Sequence, residues 1–181
     1  MPRLFIAIKP PLIISAPLIA AMGGVAGARW QSAEQLHLTL SFLGDVRSEY
    51  LADLDAALAA IRHQSISMSC KGVGHFASKG RATTLWAATH PAEPLAALAA
   101  KVDHAVRHIG ITPQGMGQGM AFAAHITLAR LNRSSGPIDA FLSAQANLST
   151  PGTIISDFGL YESHLGPEGA RYTCLGDYRF H

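Results

Sequence analysis

Apolar positions along the chain change period from segment to segment, and each change marks an element. Leu4-Phe5-Ile6-Ala7-Ile8 is an unbroken apolar run, the pattern of a strand buried on both faces. A helix is expected over about residues 11–26, then a short strand over residues 29–31 and a turn over residues 32–35. Alternation predicts a strand over residues 36–43, closing at Gly44-Asp45. Leu51, Leu54, Leu58 and Ile61 fall three and four apart, which predicts a covering helix over residues 48–63 with Ser48 as its N-cap. Strand-like runs at residues 65–76 and 83–89 flank Ser78-Lys79-Gly80-Arg81 and read as a hairpin. From Pro94, the spacing of Leu95, Leu98, Val102, Val106 and Ile109 predicts a second helix, with Gly110 as its C-cap. A mobile glycine loop at residues 115–119, a strand over residues 122–131, a loop at 132–136 and a short helix over 137–144 follow. Strands over about residues 153–162 and 171–180 complete the chain.

Two of the expected strands repeat a short phrase: His37-Leu38-Thr39-Leu40 and His125-Ile126-Thr127-Leu128. Successive strand side chains point to opposite faces, so each His shares a face with its Thr, about 7 Å away, while the apolar residues face the core. Nine His and nine Thr in 181 residues give an accidental His-apolar-Thr-apolar only about 0.1 times per chain. A single copy would read as a half-buried strand histidine; two copies point to chemistry. They lie 88 residues apart, about half the chain, and each follows helical and strand material of its own. The expected architecture is therefore α+β and bilobal, with pseudo-twofold symmetry. Two antiparallel sheets flank a central cleft, helices lie outside, and both His-x-Thr strands face the cleft.

Composition narrows the partners. Fourteen Lys and Arg against twelve Asp and Glu leave a net charge of +2, too weak a field for non-specific grip on a nucleic-acid backbone, so any phosphate recognition is local. Two cysteines, Cys70 and Cys174, fit a reducing compartment better than a disulfide framework, and neither has metal-site spacing. Residues 10–28 carry no charge and end in Ala26-Gly27-Ala28, which imitates a secretory signal. Pro10, Pro11, Pro17, Gly23, Gly24 and Gly27 make that stretch a poor membrane span, and the strand ahead of it argues for a cytoplasmic protein without membrane partners. At this length the whole chain, 1–181, is expected to form one domain of two lobes, and a monomer.

Two imidazoles facing a phosphodiester suit hydrolysis of a strained cyclic phosphate. One ring, neutral near pH 7, takes a proton from water and the other delivers one to the leaving alkoxide. Thr39 and Thr127 would hydrogen-bond the non-bridging oxygens. At this point the residues resemble a known family, the RNA 2′,3′-cyclic phosphodiesterases or 2′-5′ RNA ligases of the 2H phosphoesterase superfamily. The resemblance runs from Arg3-Leu4-Phe5-Ile6-Ala7-Ile8 through Ala28-Arg29-Trp30, both His-x-Thr phrases, Phe42-Leu43-Gly44, Leu85-Trp86 and Ala129-Arg130 to Leu160-Tyr161-Glu162-Ser163 and Gly169-Ala170-Arg171-Tyr172. It implies metal-independent opening of a 2′,3′-cyclic phosphate to a 2′-phosphomonoester, without cofactor, and reversible 2′-5′ ligation of RNA. It makes His37 and His125 the acid and base, with Thr39, Thr127 and Arg130 on the phosphate; departure of O3′ would make His37 the general acid and His125 the base, and the sequence leaves open which is which. Strict alternation puts Arg130 on the Leu128 face, so reaching the cleft requires a bulge or the end of the strand.

Ala124 stands before His125 where many relatives have Pro, and residues 115–120 carry no charge. That leaves open whether the substrate is an RNA with a 2′,3′-cyclic phosphate end or a small cyclic nucleotide or NAD-derived compound. Trp86, Phe42, Phe76 and Tyr161 are candidates to stack a base, with Phe76, near Lys79 and Arg81, the best placed. Most aromatics in apolar strands belong to the core. His104 and His108 have the i, i+4 spacing of a metal pair but lack the Glu after the first His that zinc proteases carry. The rival function is a non-catalytic module holding a nucleotide or RNA end in the same cleft.

Overall fold

A computed structural model describes residues 1–114 and 121–181. The expected glycine loop at residues 115–119 lies outside the described residues. Among the described residues, nine strands and four helices follow in chain order: β1 (Arg3–Ile8), α1 (Leu12–Ala21), β2 (Arg29–Trp30), β3 (Leu38–Asp45), α2 (Leu51–Ala59), β4 (Ile66–Ser78), β5 (Arg81–His90), α3 (Ala92–His108), β6 (His125–Arg130), α4 (Asp139–Ala144), β7 (Thr153–Ile155), β8 (Asp157–Gly166) and β9 (Gly169–Arg179). The fold is α+β, and every strand pairing is antiparallel.

The strands lie in the order β7-β4-β5-β6-β3-β1-β8-β9, with β2 on β6. This is two four-stranded halves set edge to edge, β6 of one against β3 of the other. They meet at a single residue pair, Leu38 opposite Ile126. Both side chains are fully buried, so the seam is a hydrophobic one. The α+β, pseudo-twofold expectation holds, but the two halves form one continuous nine-stranded sheet rather than the two sheets expected, because β3 and β6 pair across the seam, and the halves are not assembled in simple chain order. The N-terminal half takes its two outer strands from the C-terminal hairpin β8–β9, and β7 joins the other half beside β4.

Local departures from the sequence pattern have physical causes. The strand expected over residues 153–162 is two, broken at Ser156, because its ends pair with different halves of the sheet. Ser48 is not an N-cap: residues Ser48–Tyr50 form a 3-10 turn that leads into α2 with no side-chain cap. The first helix stops at Ala21, ahead of Gly23 and Gly24, and α2 stops at Ala59. Lys79 and Gly80, both at positive φ (51° and 74°), close the β4–β5 hairpin as a two-residue turn, tighter than the four residues expected. Gly110, at φ 87°, does end the second long helix, one residue past its C-cap Ile109. Helices α2 and α3 pack on each other and reach β9 and β3, where the Ser41 hydroxyl donates to Asp103 at 2.6 Å.

Candidate active site

The site begins at the seam. In an antiparallel register fixed by Leu38 opposite Ile126, His37 lies across from Thr127 and Thr39 across from His125. Leu38 and Ile126 point into the core, so the alternating residues, all four half-buried, share the opposite face. Two strands thus present two imidazoles and two hydroxyls as a diagonal quartet.

Each strand also carries one extra residue just after its threonine. Opposite β1, Thr39 pairs with Ala7 and Ser41 with Ile6, leaving Leu40 unmatched. Opposite β5, Thr127 pairs with Trp86 and Ala129 with Leu85, leaving Leu128 unmatched. A bulge of this kind reverses the alternation beyond it. Leu128 and Ala129 are therefore both buried, and Arg130 comes back to the cleft side, exposed. The condition placed on Arg130 by alternation is met by a bulge. The same slip in β3 brings Phe42 to the matching position of the other half.

The two rings are oriented alike. His37 Nδ1 stands 2.7 Å from the Gln35 carbonyl and His125 Nδ1 stands 2.6 Å from that of Ala123. A carbonyl only accepts, so Nδ1 donates in both and Nε2 is the nitrogen left for chemistry. Aromatic rings bracket each imidazole: Phe5 (4.8 Å) and Tyr172 (5.2 Å) beside His37, Phe76 (4.9 Å) and Trp86 (6.2 Å) beside His125. Phe76 is thus an edge-on wall of His125 and 39% exposed. Of the other stacking candidates, Tyr161 lies on Phe5 and Phe42 lies under the Arg3 guanidinium. Sequence spacing missed Phe5 and Tyr172, which come from opposite ends of the chain and meet only because β8–β9 closes on β1. It also missed Gln35, whose side-chain amide donates to the Ala170 carbonyl at 2.8 Å and accepts from the Ser32 N–H at 2.9 Å. That brace holds the carbonyl that orients His37. Its only sequence signal is its place two residues before the histidine.

A cavity of about 480 Å³ opens beside the quartet, lined by His37, Thr39, Arg130, Phe42, Tyr172, Arg3, Arg29 and Trp30 among others. His125 and Thr127 do not line it; they sit beyond the seam. His104 and His108 stack on an exposed stretch of α3 with ring centres 6.4 Å apart, and no group of three metal-ligating side chains occurs among the described residues.

Burial pushes the His37 pKa down to about 4; the Gln35 carbonyl counters this, while the charges of Arg130 and His125 add to it. Burial also lowers His125, against the Ala123 carbonyl and with Arg130. A folded-state pKa below the unfolded one means that the unfolded chain takes up protons the folded chain refuses as pH falls from about 6.5 toward 4. Stability present above pH 6.5 is therefore lost across that window. The melting temperature of the parent is expected to drop between pH 7 and pH 4.5 by more than that of His37→Asn, in paired thermal melts. Equal drops would show that His37 is not held neutral.

Residues 10–86 match the family model for LigT-like phosphoesterases. A relative described as an RNA 2′,3′-cyclic phosphodiesterase from Thermus thermophilus is 31% identical over 186 aligned positions, covering 96% of this chain and 87% of its own. One of the same description from Archaeoglobus fulgidus is 29% identical over 176, covering 96% and 97%. Among solved structures, E. coli LigT complexed with 3′-AMP superposes with a TM-score of 0.75 at 25% identity, covering 99% of this chain and 98% of that one.

Proposed function

The chain belongs to the LigT-like phosphoesterases, and from that premise we propose that it opens RNA or nucleotide 2′,3′-cyclic phosphates to 2′-phosphomonoesters by paired-histidine catalysis, without metal or cofactor. The observation that carries this reading is the diagonal quartet at the seam, with Nδ1 of each ring tied back to a carbonyl. The cyclic phosphate sits over the quartet. Thr39 and Thr127 donate to its non-bridging oxygens, and the Arg130 guanidinium balances the charge that grows as phosphorus becomes five-coordinate. His125 Nε2 takes a proton from water as the water oxygen bonds to phosphorus. The P–O3′ bond breaks and His37 Nε2–H gives its proton to O3′, leaving a 2′-phosphate and a 3′-hydroxyl. Water is the only co-reactant. An RNA 5′-hydroxyl in place of that water yields a 2′-5′ linkage, so ligation is the same step with another nucleophile, and reversible.

His37 is neutral in the empty cleft at pH 7. The anionic substrate supplies the counter-charge that lets it hold a proton, and burial makes that proton easy to give up. Metal independence is supported by the company the rings keep: aromatic rings, hydroxyls and an arginine that repels a cation. We further read the chain as one domain of two lobes, monomeric and cytoplasmic; no helix among the described residues is long and apolar enough to cross a membrane. We read Phe76, edge-on to His125 and 39% exposed, as the ring that stacks a base.

Product analysis tests the reading. In the presence of chelator, adenosine 2′,3′-cyclic phosphate is expected to give the 2′-monophosphate with a bell-shaped pH dependence. A 3′-phosphate product would overturn the leaving-group assignment. Binding without turnover would favour the nucleotide-holding module instead.

A further inference from the structure

Arg29 and Arg130 are direct cross-strand partners in the β2–β6 pair. Like charges placed opposite each other on adjacent strands repel and destabilise the pairing. Among the described residues no ion pair offsets them. Among the described residues the ion pairs are Arg47 with Glu49, His164 with Glu162 and Arg171 with Glu168, and none involves Arg29, Arg130 or Arg3. All three arginines are exposed, and all three line the cavity that His37 shares. The carboxylate among the lining residues, Glu168, is 90% exposed and faces Arg171 at 3.8 Å. Neighbouring aromatics hold the group in place: Trp30, next to Arg29, packs on Phe141 at 5.4 Å, and Arg3 lies 4.9 Å over the Phe42 ring.

A charge count then separates one anion from two. A 2′,3′-cyclic phosphate is a monoanion, and Arg130 with a protonated His37 already exceeds it. Arg3 faces Asp45 across the β1–β3 pair, which leaves Arg29 as surplus positive charge, set roughly 7 Å along β6 from Thr127, two rungs away because Leu128 is bulged. We infer that Arg29, opposite Arg130, forms a subsite for a second phosphate, so that the preferred substrate is a 2′,3′-cyclic phosphate that carries a further phosphate group. That group is either an internucleotide diester or a 5′-monoester; both present the anionic oxygens that a guanidinium recognises. The inference rests on the cyclic phosphodiesterase reading above and deepens it.

The test compares kcat/KM for adenosine 2′,3′-cyclic phosphate, the same compound 5′-phosphorylated, and a dinucleotide ending in the cyclic phosphate. The parent protein is expected to prefer a substrate with a second phosphate by about tenfold or more, the scale of one charge-assisted contact. Whichever of the two is preferred identifies the source of the phosphate. Arg29→Ala and Arg29→Gln are expected to bring that ratio close to one, and rising ionic strength to shrink it in the parent. Because Arg29 is exposed, loss of fold does not stand in the way. A ratio near one in the parent, or a ratio unchanged by both variants, overturns the subsite. So does an equal loss on all three substrates in the variants, which would put Arg29 on the reacting phosphate. No turnover of any substrate by the parent defeats the cyclic phosphodiesterase reading itself, and this inference with it.

Discussion

His37→Ala and His125→Ala each lower kcat/KM for a 2′,3′-cyclic nucleotide by about a hundredfold or more, the range in which a single positioned proton transfer contributes. The two losses are not expected to add, because the rings act in one concerted exchange of protons. Asparagine at either position distinguishes chemistry from support. Its amide can keep a hydrogen bond but cannot take or give a proton at neutral pH, so His37→Asn should be as inactive as His37→Ala while melting near the parent temperature at pH 7. Steady-state kinetics with a fluorescent cyclic nucleotide, beside thermal melts, decides the matter. Activity within threefold of the parent in either alanine variant would remove that imidazole from the mechanism.

The second large effect is on the fold. Leu38→Ala and Ile126→Ala each remove a fully buried side chain at the one rung where the two halves of the sheet meet. Large-to-small changes at such positions cost about 2–5 kcal/mol. For a chain of this size that corresponds to a melting temperature lower by roughly 5 °C or more. The two residues face each other, so the double variant is expected to lose less than the sum of the single losses. Urea unfolding of all four proteins measures this. Losses below about 1 kcal/mol would mean that the halves are held together elsewhere.

The quartet of two His and two Thr was legible in the sequence because strand periodicity alone assigns each His and Thr to one face, and the repeat itself signals that two such faces converge. Arg130 was legible only conditionally. Alternation places it on the wrong side, and a bulge of one residue leaves no mark in a run such as Leu128-Ala129, where both neighbours are apolar. The assembly of the lobes was less legible, since the partner of β1 lies at the far end of the chain and β8 carries nothing that names β1 as its neighbour. For the same reason Phe5 and Tyr172, which flank His37, stood apart in the sequence. The break at Ser156 was hidden by β-favouring residues on both sides. Arg29 stands in the sequence as an ordinary strand arginine beside Trp30; its meaning depends on the residue it faces, which pairing alone reveals.

The matched bulges carry one more consequence. They bring position three after each threonine back over the cleft in both halves, and there the repeats differ: Arg130 in one, Phe42 in the other. A cradle with true twofold symmetry would accept a sugar-phosphate equally well turned end for end, and half of all encounters would present the wrong oxygen to the acid. One cationic and one aromatic residue at equivalent stations give the cradle a head and a tail, and with them a direction along which the substrate chain must run.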